Sequence, residues 1–485
     1  MMGAIQLLFL GSFALVAAAL LIWALLRRFR GGWIATTLVA LCFFGLLVHQ
    51  AYWQIRGGGD VALTRFKRNH DARPPIREEQ RRTRGKLLDR HGELLSGPSK
   101  NGKWGHEAPL GPAAFHVIGY DIKGRGTTGL ERVFAARLWG AAPPERLGDL
   151  LQQPEPEDVR LTLDSGLQRL AYGLMKERRG AVVVSNPRNG EILALVSSPA
   201  PLEANFLAAE RDRRNTPLFN RATQGLYPPG SVFKIFSAAL ALERGKGGRY
   251  VCPPKGWSPG AYTKPIRDTH PQKAGEAVAI DKAFAESSNI WFAKALSACG
   301  WKAVEDAATR CGFRDGITLA ESGQYSLGSK AGVVPELHYA PNRIAYLGFG
   351  QGDLLLTPLH IAAMTATIAN EGAYVPLHLE LKQKPTASRI WSRPVANRVK
   401  SLMRGSVTSG TSKGIGLGAI EVCGKTGTAE NSGQDHAWFT CFAPAQNPEI
   451  AITVLIENGG YGASTALPVA KDLLKAWFAR EKRMR

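Results

Sequence analysis

Residues 227–234 read Tyr227-Pro228-Pro229-Gly230-Ser231-Val232-Phe233-Lys234, a proline- and glycine-rich turn that leads into an apolar helical pattern. Residues three apart share a face of a helix, so Lys234 is expected beside Ser231. A serine hydroxyl is a weak nucleophile until a base takes its proton, and a lysine amine can be that base once desolvation lowers its pKa. The stretch therefore predicts a serine nucleophile with a lysine base, on a helix from Ser231 to Glu243.

Two further elements follow this turn in a fixed order. Ser287-Ser288-Asn289 lies between two helical patterns, and Lys425-Thr426-Gly427-Thr428 lies on a predicted strand. Ser-x-x-Lys alone is weak evidence for a catalytic site, because a serine helix cap followed by an exposed lysine has the same sequence pattern. Chance supplies about one such match in a chain of this length. The ordered set of three is far more specific than any one member.

Two other matches are interpreted as structural. Ser99-Lys100-Asn101 also spells Ser-x-Asn, but it precedes the nucleophile and is predicted to be a turn. Gly424-Lys425-Thr426 imitates a phosphate-binding loop, yet Gly418 lies six residues before Gly424, where that motif needs five. Nucleotide binding is therefore disfavoured.

With these motifs in order, the chain resembles the penicillin-binding, serine D,D-peptidase superfamily, whose motifs are S-x-x-K, S-x-N and K-T-G. The resemblance covers about residues 84 to 480. Within the superfamily the chain is similar to the class B, monofunctional transpeptidases. Too little chain lies before residue 160 for the glycosyltransferase domain of class A enzymes. The other matching segments are Arg84-Gly85, Asp89-Arg90-His91-Gly92, Gly129-Leu130-Glu131, Asn220-Arg221-Ala222, Gly350-Gln351-Gly352, Thr357-Pro358, His436-Ala437-Trp438-Phe439 and Ala443-Pro444.

The resemblance implies a role for each catalytic residue. Ser231 would be the acylated nucleophile and Lys234 its base, and Ser287 would relay a proton to the leaving amine. Asn289 would orient the donor peptide, and Lys425 would supply positive potential. No metal and no cofactor are implied.

The resemblance also implies a substrate-binding strand made of Thr426, Gly427 and Thr428. The two threonines would hold the terminal carboxylate of a D-Ala-D-Ala stem, and the backbone N–H groups of Ser231 and Thr428 would form an oxyanion hole. A carboxylate needs a cation and hydroxyl donors on a rigid edge, which a strand provides.

The partners implied are peptidoglycan stem peptides and their lipid-linked precursor, β-lactams bound covalently at Ser231, and a polytopic membrane glycosyltransferase. Two features depart from the family pattern: the segment before residue 160 is short, and Cys441 stands where a small residue such as glycine is usual. Neither touches the predicted catalytic set, so the departures bear on docking with a partner.

Composition fits an envelope protein. The chain has 485 residues, with 61 Lys and Arg against 40 Asp and Glu, a net charge of +21. Such a charge suits anionic lipid, anionic polymer or nucleic acid. The sequence has no zinc-finger spacing, RNP sequence or basic-region heptads, so nucleic-acid binding is not expected.

Two apolar stretches open the chain, Ile5–Leu26 and Trp33–Trp53, and each is long enough to cross a bilayer as a helix. The short basic link at 27–30 predicts a helical hairpin; a cleaved signal peptide is disfavoured because residues 1–26 lack a basic start. The arginines of the link favour a cytoplasmic location for the link. The basic residues beyond residue 53 favour a cytoplasmic location for that flank instead, so charge does not decide the topology. The extracytoplasmic substrate therefore decides the expected topology, with residues 54–485 outside the cytoplasmic membrane.

The predicted organisation is a transmembrane hairpin (1–53), a basic juxtamembrane linker (54–83), a small accessory module (84–160) and a transpeptidase domain (161–485). The expected fold class is α/β in the broad sense (α+β), a mixed sheet flanked by helices as in penicillin-binding proteins and serine β-lactamases. β-branched runs predict a hairpin from Ala181–Val184 and Ile192–Val196 and a later strand at 450–456. An amphipathic helix is expected to end the chain, because apolar residues recur there at helical spacing.

Six cysteines are present, Cys42 in the second apolar stretch and five beyond it, and none forms a C-x-x-C pair. Structural zinc is therefore not expected. A turn centred near Ser432 would place Cys423 and Cys441 on one face of a hairpin, so a disulfide between them is one prediction. Cys299 with Cys311 is the rival pair.

Three alternatives to a transpeptidase stay open at this point. A D,D-carboxypeptidase would differ only in using water, rather than an amine, to resolve the acyl-enzyme. A β-lactamase or antibiotic sensor would share two of the motifs, although the Ser-x-Asn element argues against it. A catalytically silent cell-division scaffold could use the same fold for binding alone, but the intact serine and lysines argue against that.

Overall fold

The computed structural model describes residues 84–98, 106–122, 125–140, 155–261, 263–336 and 342–484, besides position 45. From residue 84 onward they belong to one compact unit, Ile76–Arg485. The predicted hairpin, the linker and the Ser99-Lys100-Asn101 turn lie outside the described residues. In the part of the chain that is described, no helix is long and apolar enough to span a membrane.

The strands and helices alternate unevenly along the chain. The strands are β1 (Leu87–Leu88), β2 (Leu94–Ser96), β3 (Asp121–Ile122), β4 (Gly126–Thr127), β5 (Val159–Arg160), β6 (Gly180–Ser185), β7 (Ile192–Ser198), β8 (Tyr250–Val251), β9 (Ala277–Val278), β10 (Thr318–Ser322), β11 (Tyr325–Gly328), β12 (Ala373–Tyr374), β13 (Ser388–Arg389), β14 (Cys423–Ala429), β15 (His436–Ala443) and β16 (Ile450–Ile456). The helices are α1 (Phe115–Ile118), α2 (Gly129–Val133), α3 (Ala135–Leu138), α4 (Ser165–Met175), α5 (Phe206–Arg211), α6 (Lys234–Glu243), α7 (Ile280–Ala285), α8 (Asn289–Cys299), α9 (Trp301–Arg310), α10 (Arg343–Leu347), α11 (Pro358–Ala369), α12 (Arg393–Thr408) and α13 (Gly462–Met484).

The central sheet has five strands in the order β14-β15-β16-β6-β7, with β14 at one edge. It joins strands from both ends of the domain, as predicted, and β6 and β7 form the expected hairpin. Every pairing in it is antiparallel, so the predicted mixed sheet is wrong in strand direction. The reason is that short connections join β6 to β7, β14 to β15 and β15 to β16. Short connections impose antiparallel pairing.

Helices cover both faces of this sheet, which confirms the α/β class. Alternate side chains of a strand point to opposite faces. Thus Val182 and Val184 pack with α4 and α13 on one face, whereas Ala181 and Val183 pack on the other. Both faces are dry, and β6, β7 and β16 are buried along their whole length.

Residues 84–160 contribute to the same hydrophobic core as the sheet. Leu87 and Leu130 share one cluster with Val183 and Leu195. The Leu161 N–H donates to the Leu88 carbonyl at 2.8 Å, across the proposed boundary at residue 160. Two of the three family segments in this region meet in a buried ion pair, in which Arg84 Nη1 lies 2.7 Å from Glu131 Oε2. The division at residue 160 stays a prediction.

The predicted Cys423–Cys441 disulfide is wrong, because both thiols are free, as are Cys299 and Cys311 of the rival pair. In the β14–β15 hairpin Cys441 pairs with Gly424, and Cys423 pairs with Phe442, one residue away from the expected register. A shift of one residue turns a side chain to the opposite face of a sheet. Cys423 therefore packs on the α6 side and Cys441 on the α13 side.

Candidate active site

The turn that carries Ser231 is tighter than predicted. Gly230–Phe233 forms a 3-10 turn, and the α-helix begins at Lys234 rather than at Ser231. In a 3-10 turn residues i and i+3 are eclipsed, so the lysine lies directly over the serine. Lys234 Nζ is 2.9 Å from Ser231 Oγ, and the lysine is fully buried while the serine is partly exposed.

A backbone hydrogen bond holds this turn in place. The Gly230 N–H donates to the Gly350 carbonyl at 2.8 Å. Gly350 has a φ of +75°, and a Cβ atom there would lie 2.1 Å from the Gly230 carbonyl oxygen. Only glycine fits both demands. The Gly350-Gln351-Gly352 segment therefore acts as a support behind the nucleophile.

Lys234 lies among four oxygen atoms. Besides Ser231 Oγ these are Ser287 O at 2.7 Å, Ser287 Oγ at 3.0 Å and Asn289 Oδ1 at 2.7 Å. A neutral amine has two protons and a lone pair, so it can donate to two of these oxygens and accept from the serine hydroxyl. Burial lowers the pKa of Lys234 well below its usual range, and the neighbouring Lys425 lowers it further. The site is thus built for a lysine that acts as a base.

Lys425 approaches from the sheet. Its Nζ is 2.9 Å from Ser287 Oγ and 3.1 Å from the Thr426 carbonyl oxygen. The side chain is fully buried, and burial lowers its pKa to about 7. Ser287 therefore links the two lysines through one hydroxyl oxygen, which suits a proton relay.

Ser287 and its neighbours are fixed by a residue that the sequence did not reveal. Ser287 has a φ of +60°, a conformation that non-glycine residues rarely adopt. Next to it, Ser288 caps α8 by accepting the Trp291 N–H, and its hydroxyl donates to Asp268 Oδ2 at 2.8 Å. Asp268 Oδ1 accepts the Ile290 N–H at 2.9 Å. Asp268 lies in an irregular loop with no local motif, so only the folded structure identifies it.

The edge strand β14 packs directly on the nucleophile turn. A Cβ atom at Gly427 would lie 3.0 Å from Val232 Cγ1, and one at Gly230 would lie 2.6 Å from the Thr428 carbonyl oxygen. Further along the strand, Thr426 Oγ1 is 2.8 Å from Thr411 Oγ1. The structure thus brings all eight residues singled out in the sequence into one site: Ser231, Lys234, Ser287, Asn289, Lys425, Thr426, Gly427 and Thr428.

A buried ion cluster anchors the turn from its other side. Tyr227 Oη donates to Glu457 Oε1 at 2.6 Å, and Arg221 Nε donates to the same oxygen at 2.9 Å. Arg179 Nη2 lies 2.6 Å from Glu457 Oε2. The Arg221 side chain is fully buried and that of Glu457 is 6% exposed. Glu457 lies more than 200 positions along the chain from each of these partners, which explains why no local pattern predicted it.

A comparison with protein families matches residues 180–475 to the penicillin-binding protein transpeptidase domain. The chain belongs to this family. Among curated relatives, the peptidoglycan D,D-transpeptidase PbpA of Mycolicibacterium smegmatis is 31% identical over 413 residues, which cover 74% of this chain and 81% of that protein. The peptidoglycan D,D-transpeptidase MrdA of Acinetobacter baumannii is 31% identical over 377 residues, 67% of this chain and 54% of the relative. The class B penicillin-binding resemblance inferred from the motifs is confirmed.

Solved structures of the family agree with the fold. The D,D-transpeptidase domain of an Eggerthella lenta peptidoglycan glycosyltransferase has a TM-score of 0.71 at 27% identity and covers 83% of this chain and 99% of its own. Penicillin-binding protein A from M. tuberculosis, as an imipenem acyl-enzyme complex, has a TM-score of 0.69 at 27% identity and covers 82% and 99%. The family fold extends over most of the described chain.

Glu457→Ala should lower the free energy of unfolding by about 3 to 5 kcal/mol, because it leaves the buried Arg221 charge without a carboxylate partner. Tyr227→Phe removes one hydrogen bond and should cost about 1.5 to 3 kcal/mol, the range for a bond to a charged group. Urea unfolding followed by tryptophan fluorescence measures both. Glu457→Gln keeps an acceptor oxygen but removes the charge, and should therefore also destabilise the protein. Wild-type stability of the glutamine variant would contradict the ion-cluster argument.

The binding of a carboxylate ligand should weaken as pH rises from about 6 to about 9, since Lys425 loses its proton near a pKa of about 7. Calorimetric titration of the Ser231→Ala protein with a D-Ala-D-Ala peptide, which it cannot turn over, measures the affinity. The C-terminal amide of the same peptide is the control, because it carries no carboxylate. A carboxylate affinity that stays constant over this range would show that Lys425 does not provide the charge.

Proposed function

We propose that this protein is a peptidoglycan D,D-transpeptidase that cross-links stem peptides through an acyl-enzyme on Ser231. The observation that carries the proposal is the 2.9 Å approach of a buried lysine amine to the Ser231 hydroxyl. The relatives named peptidoglycan D,D-transpeptidase support the same activity. A neighbouring structure described as an acyl-enzyme complex supports the covalent step.

In the first half-reaction Ser231 Oγ attacks the carbonyl carbon of the penultimate D-alanine. The proton of the hydroxyl passes to neutral Lys234, and the backbone N–H groups of Ser231 and Thr428 stabilise the oxyanion. The C–N bond then breaks, and the departing amine takes a proton that Ser287 relays from Lys234. An ester between Ser231 and the donor peptide remains, and free D-alanine leaves.

In the second half-reaction an amine of another stem peptide attacks the ester. A new C–N bond forms, the bond to Ser231 Oγ breaks, and the proton of the amine returns through Ser287 and Lys234 to the serine. Water in place of the amine would give a D,D-carboxypeptidase, which remains the second candidate. Mass spectrometry of the products from a D-Ala-D-Ala donor and an amine acceptor separates the two, because only a transpeptidase yields the coupled peptide.

The terminal carboxylate of the donor is assigned to Thr426, Thr428 and Lys425. A penicillin carries a reactive amide carbonyl and a carboxylate in much the same arrangement, so it should acylate Ser231 through the same contacts. The silent-scaffold alternative is disfavoured by the lowered pKa of Lys234, because a scaffold has no use for a lysine held ready to accept a proton.

We further propose that residues 54–485 lie outside the cytoplasmic membrane and that residues 1–53 anchor them. The lipid-linked precursor is available there, and a polytopic membrane glycosyltransferase would supply the glycan strands. A reporter enzyme fused after residue 485 tests the topology. Activity of an exclusively periplasmic reporter supports the proposal, and fluorescence of an exclusively cytoplasmic one would overturn it.

Ser231→Ala should abolish the penicilloyl adduct with little loss of stability, about 1 kcal/mol at most, because it deletes one partly exposed hydroxyl oxygen and its hydrogen bond to Lys234. Lys234→Ala should also block acylation by removing the base. Lys425→Ala should mainly weaken capture of the carboxylate, by about 1.5 to 3 kcal/mol. Intact-mass spectrometry across a range of penicillin concentrations separates these effects, because saturation rescues weak binding but not a missing base.

Ser237→Ala is the matched control for the nucleophile. It changes a serine on α6, the helix that follows the nucleophile turn, whose hydroxyl lies 3.4 Å from the Phe233 carbonyl oxygen, and it should leave the adduct intact. A stoichiometric adduct on folded Ser231→Ala protein would disprove the nucleophile assignment.

A further inference from the structure

Two adjoining cavities lie beside the catalytic residues. One has a volume of about 510 Å³ and is lined in part by Gln272, Glu286 and Thr411. The other, of about 280 Å³, extends between α7 and α12. Both are lined by Lys282, Ala285, Glu286 and Ser409. Together they form one groove, called here the α7–α12 groove.

The groove adjoins the carboxylate end of the catalytic site. Thr411 lines it, and its hydroxyl oxygen is 2.8 Å from that of Thr426. The Thr411 N–H donates to the Ala285 carbonyl at 3.1 Å, which fixes this wall to the end of α7. Glu286 also lines the groove and directly precedes Ser287.

The direction of the substrate follows from these positions. The scissile carbonyl must lie at Ser231, where the turn meets the backbone of Thr428. The donor carboxylate is assigned to the two threonine hydroxyls of this strand and to Lys425, and of the two threonines Thr426 is the one beside the groove. That carboxylate belongs to the leaving D-alanine. The leaving residue therefore extends from the scissile bond toward Thr426 and Thr411, while the rest of the donor extends in the opposite direction. By microscopic reversibility an attacking amine approaches where the leaving amine departs. The α7–α12 groove therefore lies on the side from which the acceptor enters.

The groove offers an anionic group close to that entrance. Gln272 is 95% buried, and its Nε2 donates to Glu286 Oε2 at 2.7 Å and to the His270 carbonyl at 3.0 Å. These bonds orient the Glu286 carboxylate, which is itself partly exposed. Glu276, the other glutamate that lines the cavity, is paired with Lys282 at 3.0 Å. The hydrogen-bond partner of Glu286 is thus neutral, although the charge of Lys282 also acts on it. Because Lys282 is already paired with Glu276, Glu286 can still attract a cationic amine.

We propose that the α7–α12 groove binds the acceptor, a stem peptide that carries a primary amine, and that Glu286 draws this amine toward the acyl-enzyme. The assignment rests on the proposed transpeptidase function. The two cavities, of about 510 and 280 Å³, leave room for a peptide rather than a single small amine. The ammonium must release one proton to solvent before it attacks, and the Ser287–Lys234 relay takes the second as the C–N bond forms and returns it to Ser231.

A competition between coupling and hydrolysis tests the groove. The full-length protein in detergent is given a D-Ala-D-Ala pentapeptide donor with either an amine-bearing stem tripeptide or glycinamide as acceptor. Mass spectrometry measures the ratio of coupled to hydrolysed product. This ratio counts only acyl-enzymes that have already formed, so a change in the rate of acylation cancels.

Two variants probe charge and shape separately. Glu286→Gln should lower the ratio about tenfold with the tripeptide, as expected for the loss of a contact between two charged groups. Ser409→Trp places a large ring where the two cavities join. It should lower the ratio with the tripeptide but not with glycinamide. Glu321→Gln and Ser326→Trp make the same changes at exposed positions on β10 and β11 and are the controls.

The outcomes separate the groove from the function on which it rests. A wild-type protein that couples, with both groove variants coupling the tripeptide equally well, would overturn the groove assignment alone. A Ser409→Trp protein that loses both acceptors alike would also overturn it, because the defect would then lie in the common site. A wild-type protein that only hydrolyses the donor would overturn the transpeptidase assignment and the groove with it.

Discussion

Two buried lysine amines share one serine hydroxyl oxygen, and the rest of the site depends on this contact. Lys234 and Lys425 reach Ser287 Oγ at 3.0 Å and 2.9 Å from opposite sides. Two ammonium groups so close together in a dry interior would repel each other and lack hydration. At least one amine is therefore held neutral near neutral pH. The protein thus obtains a base and a cation from the same residue type, through position alone.

Keeping the amines in this position requires close contact between segments that are distant in the chain. The glycines at 230, 350 and 427 let backbone approach backbone where a methyl group would collide. Asp268 fixes the Ser287 segment, and the Glu457 cluster fixes the approach to Ser231. These contacts surround the turn on several sides, so the backbone that carries the nucleophile is positioned before any substrate arrives.

Local patterns predicted what local interactions determine. The family resemblance carried by the three ordered motifs implied that Ser231, Ser287 and Lys425 meet, and β-branched runs located the β6–β7 hairpin and β16. The cysteine register failed because a shift of one residue at the hairpin leaves the hydrophobic pattern unchanged when both faces are buried. The 3-10 turn at Ser231 depends on the contact with Gly350, more than 100 residues away. Asp268 and Glu457 are likewise defined only by tertiary partners, so no spacing within the sequence could indicate them.

The position of β14 at the edge of the sheet has a consequence for how a peptide can be read. One side of an edge strand is free to pair, and an extended peptide laid along it gains main-chain hydrogen bonds as an added strand. Main-chain bonds are the same for every residue type. A donor bound in this way is recognised by its backbone direction and by the charge at its end. The side chains between these two features can therefore differ from one cell wall to another with little loss of binding affinity.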